Sequence, residues 1–266
     1  MFFGPHNLSL RSLSLGTILL TCTATPALVE LEHKYRLLAP EDTAALAAFT
    51  GTLKPFKATE TCTDTYYDTP ENTFVLNDVQ VRLREIKGGA KKLTIKIAPK
   101  DDARRVEARQ EYEFKLPLAP EKVEECNAAF ALLKEFKEFK EFTFLSSLSD
   151  AKAYFSNNGL VPARIVTKKR TTYTLSHYKI MYDIVEGLGS FIEVEHVCEE
   201  AAAELMRKTM DIEVPELVKD LDVERELKPY EILMLKATNP GLYAKTSYAT
   251  DERAAGSSPA AGAGRE

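Results

Sequence analysis

The chain has 266 residues, of which 44% are hydrophobic and 28% are charged, and its formal net charge is −5 at pH 7. This composition is typical of a globular domain with an apolar core, and it excludes a chain too polar to fold. The small negative total gives no sign of a nucleic-acid partner, and no apolar run approaches the roughly 20 residues that span a bilayer.

The first 27 residues carry a single charge, Arg11, and many Ser, Thr and Leu residues. A disordered extension and a mitochondrial or plastid transit peptide are both compatible with this composition. The cysteines at positions 22, 62, 126 and 198 lack Cys-x-x-Cys spacing, which argues against a zinc site and against a disulfide framework. We therefore expect a cytoplasmic protein, or an organellar one if residues 1–27 form a transit peptide.

Residues 28–236 are predicted to form one domain rich in short strands. An alternation with a period of two residues predicts strands at 29–35, 79–84, 93–97, 111–114, 165–170, 173–175, 179–185 and 191–197. Helices are predicted at 40–49, 119–146, 149–158, 199–210 and 215–226. Ser149 and Gly159 are the expected caps of the third helix. From about residue 239 the Ala, Gly, Ser and Pro content predicts a disordered tail, so residues 237–266 are set apart from the domain.

A threefold Lys-Glu-Phe repeat lies in the long predicted helix at 119–146. Its phenylalanines, Phe136, Phe139 and Phe142, would form one stripe on a helix. We expect this stripe to pack on the rest of the domain, in preference to serving as a partner-binding face.

Charged side chains share one face of the predicted strands, because residues two apart point the same way. The sets are Glu30, Glu32 and Lys34; Arg82 and Arg84; Thr94 and Lys96; Arg109, Glu111 and Glu113; Lys168 and Arg170; and Glu193 and Glu195. The opposite face is aliphatic in the first strands, with Val29, Leu31, Val81, Leu83, Leu93, Ile95 and Ile97.

An open sheet would leave these charges in water, but it would then be expected to mix them with Ser, Thr, Asn and Gln. The observed face is almost wholly Glu, Arg and Lys in like-charge pairs, which repel each other. Closing the sheet places them in a lumen of low dielectric, where a charged ligand is attracted more strongly. We therefore predict an α+β fold, a closed antiparallel β-barrel of about eight strands with helices packed outside. Cationic walls suit a polyphosphate, and carboxylates suit Mg²⁺ or Mn²⁺.

Several segments, in the same order, resemble motifs of the CYTH superfamily, the triphosphate tunnel metalloenzymes. They are Glu30-Leu-Glu-His-Lys34, Asp64-Thr-Tyr-Tyr-Asp-Thr-Pro70, Val81-Arg-Leu-Arg84, 93–100, 109–113, Lys168-Lys-Arg170, 183–195 and, less closely, Lys228-Pro-Tyr-Glu-Ile-Leu. The resemblance covers about residues 28–236 and is greatest to the subgroup of class IV adenylyl cyclases and their relatives. It implies a barrel that is open at both ends.

The resemblance also implies roles for individual positions. The implied metal-binding acids are Glu30, Glu32, Asp183, Glu193 and Glu195. The implied catalytic and phosphate-binding cations are Lys34, Arg82, Arg84, Lys96, Lys168 and Arg170, and Arg109 is a further substrate-binding residue. Glu111 and Glu113 match lumen positions of unsettled role. Gln80 stands where vertebrate-type thiamine triphosphatases carry a tryptophan, which argues against thiamine triphosphate as a dedicated substrate.

The expected activity is hydrolysis of a linear triphosphate, either inorganic tripolyphosphate or a nucleoside or other organic triphosphate, with Mg²⁺ or Mn²⁺ as cofactor. Cyclisation of ATP to cyclic AMP and pyrophosphate stays open as an alternative. A non-catalytic polyphosphate-binding module is a more distant one, because anion binding alone needs no carboxylates. The expected partner is the small-molecule triphosphate, with neither nucleic acid nor membrane, and the chain is expected to be a monomer or a homodimer.

Overall fold

A computed structural model describes residues 28–39, 44–98 and 108–256 of the chain. The strands are β1 (Leu28–Leu37), β2 (Lys54–Asp68), β3 (Val79–Ile86), β4 (Lys91–Ile97), β5 (Ala108–Leu116), β6 (Val161–Leu175), β7 (Tyr178–Val185), β8 (Gly189–Glu199) and β9 (Val223–Arg225). The helices are α1 (Ala44–Gly51), α2 (Thr73–Leu76), α3 (Val123–Ala131), α4 (Leu148–Asn157), α5 (Glu200–Leu217), α6 (Tyr230–Thr238), α7 (Pro240–Tyr243) and α8 (Ser247–Gly256), with a short 3-10 helix at Pro120–Lys122.

Eight antiparallel strands close into a barrel in the order β5-β4-β3-β2-β6-β7-β8-β1. The barrel closes where β1 pairs with β5, with Glu30 opposite Arg109. The long strand β1 also pairs with β8 along its length and with the short strand β9 near its end. The prediction of a closed antiparallel barrel with helices outside is confirmed.

The outward side chains of the barrel wall form apolar cores beneath the helices. One core joins β3, β4 and β5 to α3 and α4, through Val81, Leu83, Leu93, Ile95, Phe114, Phe130 and Phe155. A second joins β1, β7 and β8 to α1 and α5, through Leu31, Leu46, Ile180, Ile192, Val194 and Met210. Each fully buried aliphatic or Phe side chain contributes about 1.5–3 kcal/mol relative to an exposed one. This outward burial is what directs the alternating charges into the lumen.

Apolar side chains occupy the barrel interior at the end near the β7–β8 turn. They are Tyr66, Val166, Val185 and Phe191 from the wall, with Tyr230 and Leu233 from α6. These side chains form a small core between the barrel wall and α6.

The predicted strands are all present, but strand β2 was missed and two predicted strands join into β6. The inward residues of β2 include Cys62, Asp64 and Tyr66, whereas its outward residues are partly exposed threonines. Thr63 and Thr167 face each other with their hydroxyl oxygens 3.4 Å apart. Because polar residues lie on both faces, the alternation of apolar and polar residues that marks the other strands is weak here.

The prediction of one long helix at 119–146 is wrong. Helix α3 ends at Ala131, and the chain from residue 137 to 147 has no regular secondary structure apart from bends. Side chains bind the backbone there instead: Asn127 donates to the Phe142 carbonyl at 2.8 Å and accepts from its N–H at 3.2 Å. The Lys140 N–H donates to the side chain of Asn158 at 3.0 Å. These bonds satisfy backbone groups that a helix would have paired internally.

The expected packing of the three repeat phenylalanines is nevertheless observed. Phe136, Phe139 and Phe142 pack against the core under α3 and α4, and the ring centroid of Phe139 lies 4.8 Å from that of Phe130. A residue spacing of three therefore places these rings on the core without a helix.

Helix boundaries differ elsewhere as well. Ser147, and not Ser149, caps α4 by accepting the N–H of Asp150 at 3.1 Å. Gly159 follows this helix with a φ of +75°, a conformation that favours glycine. The helix predicted at 40–49 is observed from Ala44, and residues 40–43 lie outside the described part of the chain.

The region after β8 contains one helix where two were predicted. Helix α5 continues through Pro215 to Leu217, and β9 lies where the second helix was expected to continue. A strand forms there because Val223–Arg225 pairs with the end of β1.

The predicted disordered tail is wrong for residues 240–256, which form α7 and α8. Tyr243 and Tyr248 are buried against Val75, Ile232 and Leu235. Residues 1–27 and 257–266 lie outside the described part of the chain, so the predictions made for them are not addressed by the structure.

The described helices include none with the length and apolar character needed to cross a membrane. Three of the cysteines, Cys62, Cys126 and Cys198, are free thiols.

Candidate functional site

The barrel encloses a cavity of about 320 Å³ whose walls are mainly charged. Nearly every side chain predicted to face the lumen lines it. The predicted residues on its wall are Glu30, Glu32, Lys34, Arg82, Arg84, Lys96, Glu111, Glu113, Lys168, Arg170, Glu193 and Glu195. The alternation read from the sequence therefore places these residues in one enclosure.

Two bidentate arginine–aspartate pairs lie within the barrel, and we refer to them as the arginine forks. On one wall Arg84 donates to Asp64 through Nε at 2.6 Å and through Nη2 at 2.8 Å. Burial opposes ionisation of Asp64, but Arg84 and Arg82 outweigh it and hold the pKa of this carboxyl well below its usual value.

The second fork joins Arg170 to Asp183, with distances of 2.7 and 2.5 Å. Asp183 is fully buried and also accepts from Lys168 at 3.1 Å and from the Tyr230 hydroxyl at 3.0 Å. Arg170 additionally contacts Glu193. Burial raises the pKa of Asp183, but Arg170 and Lys168 outweigh it, and the net pKa is lowered.

Three carboxylates meet on another part of the lumen. One oxygen from each of Glu30, Glu32 and Glu195 lies within 4.8 Å of the others, and we refer to these residues as the glutamate cluster. Each of them is paired with a lysine. The pairs are Glu30 with Lys96 at 2.7 Å, Glu32 with Lys34 at 2.8 Å, and Glu195 with Lys179 at 2.6 Å.

The pKa values of Glu30 and Glu32 are raised although each residue is paired with a lysine. Burial raises the pKa of Glu30, and Glu111 adds to the increase against the opposing effect of Lys96. Burial and the nearby Glu193 raise the pKa of Glu32. Carboxylate oxygens that lie close together in an enclosed site fit a hard divalent cation such as Mg²⁺ or Mn²⁺. Glu30, Glu32 and Glu195 are therefore the residues that fit such an ion.

The other two predicted metal ligands are placed differently. Glu193 lines the cavity, where Lys34 lies at 3.4 Å. Burial opposes its ionisation, but Arg170, Lys168 and Lys34 hold its pKa well below the usual value. Asp183 is not part of the cavity surface, and its oxygens are taken up by Arg170, Lys168 and Tyr230. Neither residue belongs to the glutamate cluster.

The remaining predicted residues lie on β3, β4 and β5. The guanidinium of Arg82 lies 3.6 Å from the carboxylate of Asp64 and 3.9 Å from that of Glu111. Lys96 forms an ion pair with Glu111 at 3.0 Å. Glu113 pairs with Lys92 at 2.5 Å. The side chain of Arg109 falls outside what the structure describes, although its backbone lies opposite Glu30 in β5.

Site residues that the sequence did not predict include Asp64, Lys92, Lys179 and Tyr230. Lys92 and Lys179 share strand parity with Lys96 and Asp183, so the period of two already pointed to them. Asp64 lies in a quoted motif but on a strand whose alternation is weak. Tyr230 also lies in a quoted motif, but it begins a helix and gives no periodic signal of a lumen position.

The fold resembles those of several solved structures. A protein of Pyrococcus horikoshii OT3 is 23% identical, with a TM-score of 0.55 over 78% of this chain and 99% of its own. A second protein of the same organism is 22% identical, with a TM-score of 0.53 over 77% and 99%. A Vibrio parahaemolyticus protein, described as a candidate adenylate cyclase, is 19% identical, with a TM-score of 0.53 over 76% and 94%. At these identities the likeness shows the fold alone.

No curated protein sequence matches the chain. The family model of the CYTH domain matches residues 28–227, which include all of the barrel strands and the whole glutamate cluster. Because this match spans most of the sequence, the chain belongs to the CYTH domain family.

Proposed function

We propose that this protein is a divalent-metal-dependent phosphohydrolase that acts on a linear triphosphate held in the barrel cavity. The observation that carries the proposal is the presence, in one enclosure, of a glutamate cluster and many buried cations. A triphosphate carries several negative charges that require such cations, and a hard metal ion requires the carboxylates. A site for either ligand alone would need only one of the two sets.

The cations are arranged to bind phosphate oxygens at different depths. Lys34 and Lys168 are 5% and 3% exposed, whereas Lys96 lies nearer to solvent, with 14% of its side chain exposed. In the proposed complex the arginines and lysines neutralise charge on the phosphoryl group in the transition state. Because the forks hold the guanidinium groups in place beforehand, little reorganisation is needed during the reaction.

Lys168 is the cation best suited to donate a proton to the leaving group or to neutralise its negative charge. Burial and the adjacent Arg170 lower the pKa of its ammonium group, so it releases a proton more easily than an ordinary lysine. Its contact with Asp183 holds it in place. A divalent ion held by Glu30, Glu32 and Glu195 would supply additional neutralisation of the phosphate oxygens.

The same cavity is compatible with cyclisation of ATP, in which the ribose 3′-hydroxyl attacks the α-phosphorus and pyrophosphate leaves. It is also compatible with polyphosphate binding without turnover. The three activities differ in their products, so one assay separates them.

The deciding experiment incubates the purified full chain with tripolyphosphate, ATP or thiamine triphosphate, each with Mg²⁺ or Mn²⁺. We expect orthophosphate release that requires the metal. Cyclic AMP from ATP would identify a cyclase, and tight binding with no product would identify a binding module. Either result would reject the hydrolase proposal.

A matched pair of variants tests whether the glutamate cluster is responsible. Glu195→Gln should lower turnover by at least about 100-fold, because the cluster loses a charged oxygen donor. Glu199→Gln, an exposed position on the same strand, should behave as the unaltered protein. Equal activities in the two variants would contradict the assigned role of the cluster.

A further inference from the structure

The ring of Tyr230 contacts two lysines of the cavity. The Nζ atoms of Lys34 and Lys168 are each 4.6 Å from the centroid of its ring. Tyr230 lines the cavity and is itself only 5% exposed. Both ammonium groups are therefore within the range at which the negative face of an aromatic ring attracts a cation.

The ring is held in position by contacts on several sides. Its hydroxyl donates to Asp183 at 3.0 Å, and its ring centroid is 5.0 Å from that of Phe191 in an edge-to-face arrangement. The residues before it are also anchored, since Lys34 donates to the carbonyl of Lys228 at 3.3 Å. The ring thus has little freedom to follow a lysine that moves.

Two ammonium groups that approach one ligand repel each other. The carboxylate of Glu193 attracts both of them, but it is also bound by Arg170. Lys34 is paired with Glu32 and Glu193, whereas Lys168 is paired with Asp183. The Tyr230 ring is in contact with both lysines. It can lower their repulsion without a negative charge that would compete with a phosphate.

We propose that Tyr230 is a positioning residue whose ring face holds the ammonium groups of Lys34 and Lys168 together, so that both address one phosphoryl group of the ligand. The proposal rests on the proposed function for the nature of that ligand. Tyr230 lies in the segment Lys228-Pro-Tyr-Glu-Ile-Leu, just after the residues matched by the family model, which end at 227.

The test changes the electrostatic potential of the ring face while keeping the shape of the ring nearly constant. Tyr230 is replaced by phenylalanine, trifluorophenylalanine and pentafluorophenylalanine in the full chain, since fluorination weakens the negative face of the ring. The dissociation constant for tripolyphosphate is measured by calorimetry in EDTA, so that no turnover or metal is involved. We expect Tyr230→Phe to bind within about twofold of the unaltered protein, and affinity to fall stepwise to about tenfold weaker for the pentafluoro variant.

Tyr243 on α7 provides a matched control. The Nζ atom of Lys236 lies 5.3 Å from the centroid of its ring, and neither residue is among those that line the cavity. Pentafluorophenylalanine at position 243 should leave the affinity unchanged. A purely structural role for Tyr230 would make affinity depend on the shape of residue 230, so equal affinities across the fluorinated series would overturn the proposal.

A second measurement needs no ligand. The Tyr230 ring should shift the ε-methylene proton resonances of Lys34 and Lys168 upfield in the free protein, and Tyr230→Leu should remove both shifts. If the unaltered protein binds no tripolyphosphate even with Mg²⁺ or Mn²⁺ present, the proposed function is wrong for that ligand, and these resonances still decide the ring–lysine contact. Unshifted resonances in the unaltered protein would reject the role of Tyr230.

Discussion

The arginine forks and the glutamate cluster are two regions of one lumen, and they use ion pairs differently. In the forks each guanidinium makes two hydrogen bonds to a carboxylate that is almost fully buried. In the cluster each glutamate has a lysine, which is a single flexible point charge. Lys179 has about half of its side chain exposed, so it can leave Glu195 for water.

The difference indicates which pairs form the scaffold and which can exchange. An arginine fork that loses its carboxylate leaves a buried charge without compensation. A lysine that leaves the glutamate cluster exposes oxygens that a metal ion can bind, and it becomes free to bind phosphate. The lumen therefore combines a fixed electrostatic frame with an exchangeable region at Glu195 and Lys179.

The largest expected effect separates the two regions by stability. Asp64→Asn should lower the free energy of unfolding by about 3–5 kcal/mol, because Arg84 loses its charged partner in the barrel interior. Glu195→Gln should cost no more than about 1 kcal/mol, because Lys179 reaches solvent. Urea denaturation of both variants measures this. Similar losses in the two would remove the distinction between frame and exchangeable region.

A smaller effect concerns the pH dependence of that same fork. The pKa of Asp64 is lowered in the folded protein, so its carboxylate stabilises the fold above the unfolded value of about 3.9. This contribution is lost as pH falls through the lower folded value. The stability difference between the unaltered protein and Asp64→Asn should therefore be constant from pH 7 to about 5 and shrink below about 4. Urea denaturation of both proteins between pH 3 and 7 measures this difference in the free energy of unfolding. A difference that stays constant over the whole range would contradict an ionised Asp64 in the fork.

The smallest effect tests a third, more exposed set of ion pairs at the end of the chain. Glu252 on α8 contacts Lys228 at 2.8 Å and Lys236 at 2.9 Å, and it accepts from the Tyr243 hydroxyl at 2.7 Å. Since its side chain is 37% exposed, Glu252→Gln should cost only about 1 kcal/mol, or about 2–4 °C in melting temperature. Glu216→Gln, at a more exposed pair, should leave the melting temperature unchanged. A loss as large as that of Asp64→Asn would place α8 within the fixed frame.

Much of the fold and of the site was predictable because barrel strands repeat every two residues. Once Leu31 and Ile95 are assigned outward, Glu30 and Lys96 must face inward. The identity of the face needs only local alternation, and the closed barrel follows from the charge on that face. The resemblance to CYTH motifs added the ligand classes.

The ion pairs of the arginine forks were not predicted, although each joins neighbouring strands. Asp64 lies opposite Arg84 in the β2–β3 pairing, and Asp183 lies opposite Arg170 in the β6–β7 pairing. Alternation gives the face of a residue but not its partner, which depends on the register of the two strands. Strand β2 was not predicted, so Arg84 was assigned as one of two repelling cations. Asp183 was assigned to the metal set by the resemblance, and its register with β6 gives it Arg170 as a partner.

The sequence by itself determined the barrel, its charged interior and the family, because a period of two and short motifs are local properties of the chain. Only the tertiary structure decided which carboxylates form the glutamate cluster, where the chain around Lys140 runs, and that Tyr230 contacts two lysines. These features depend on distances between segments far apart in sequence. They are set by the packing of side chains such as Phe139 and by the closure of the barrel, and neither leaves a periodic signal.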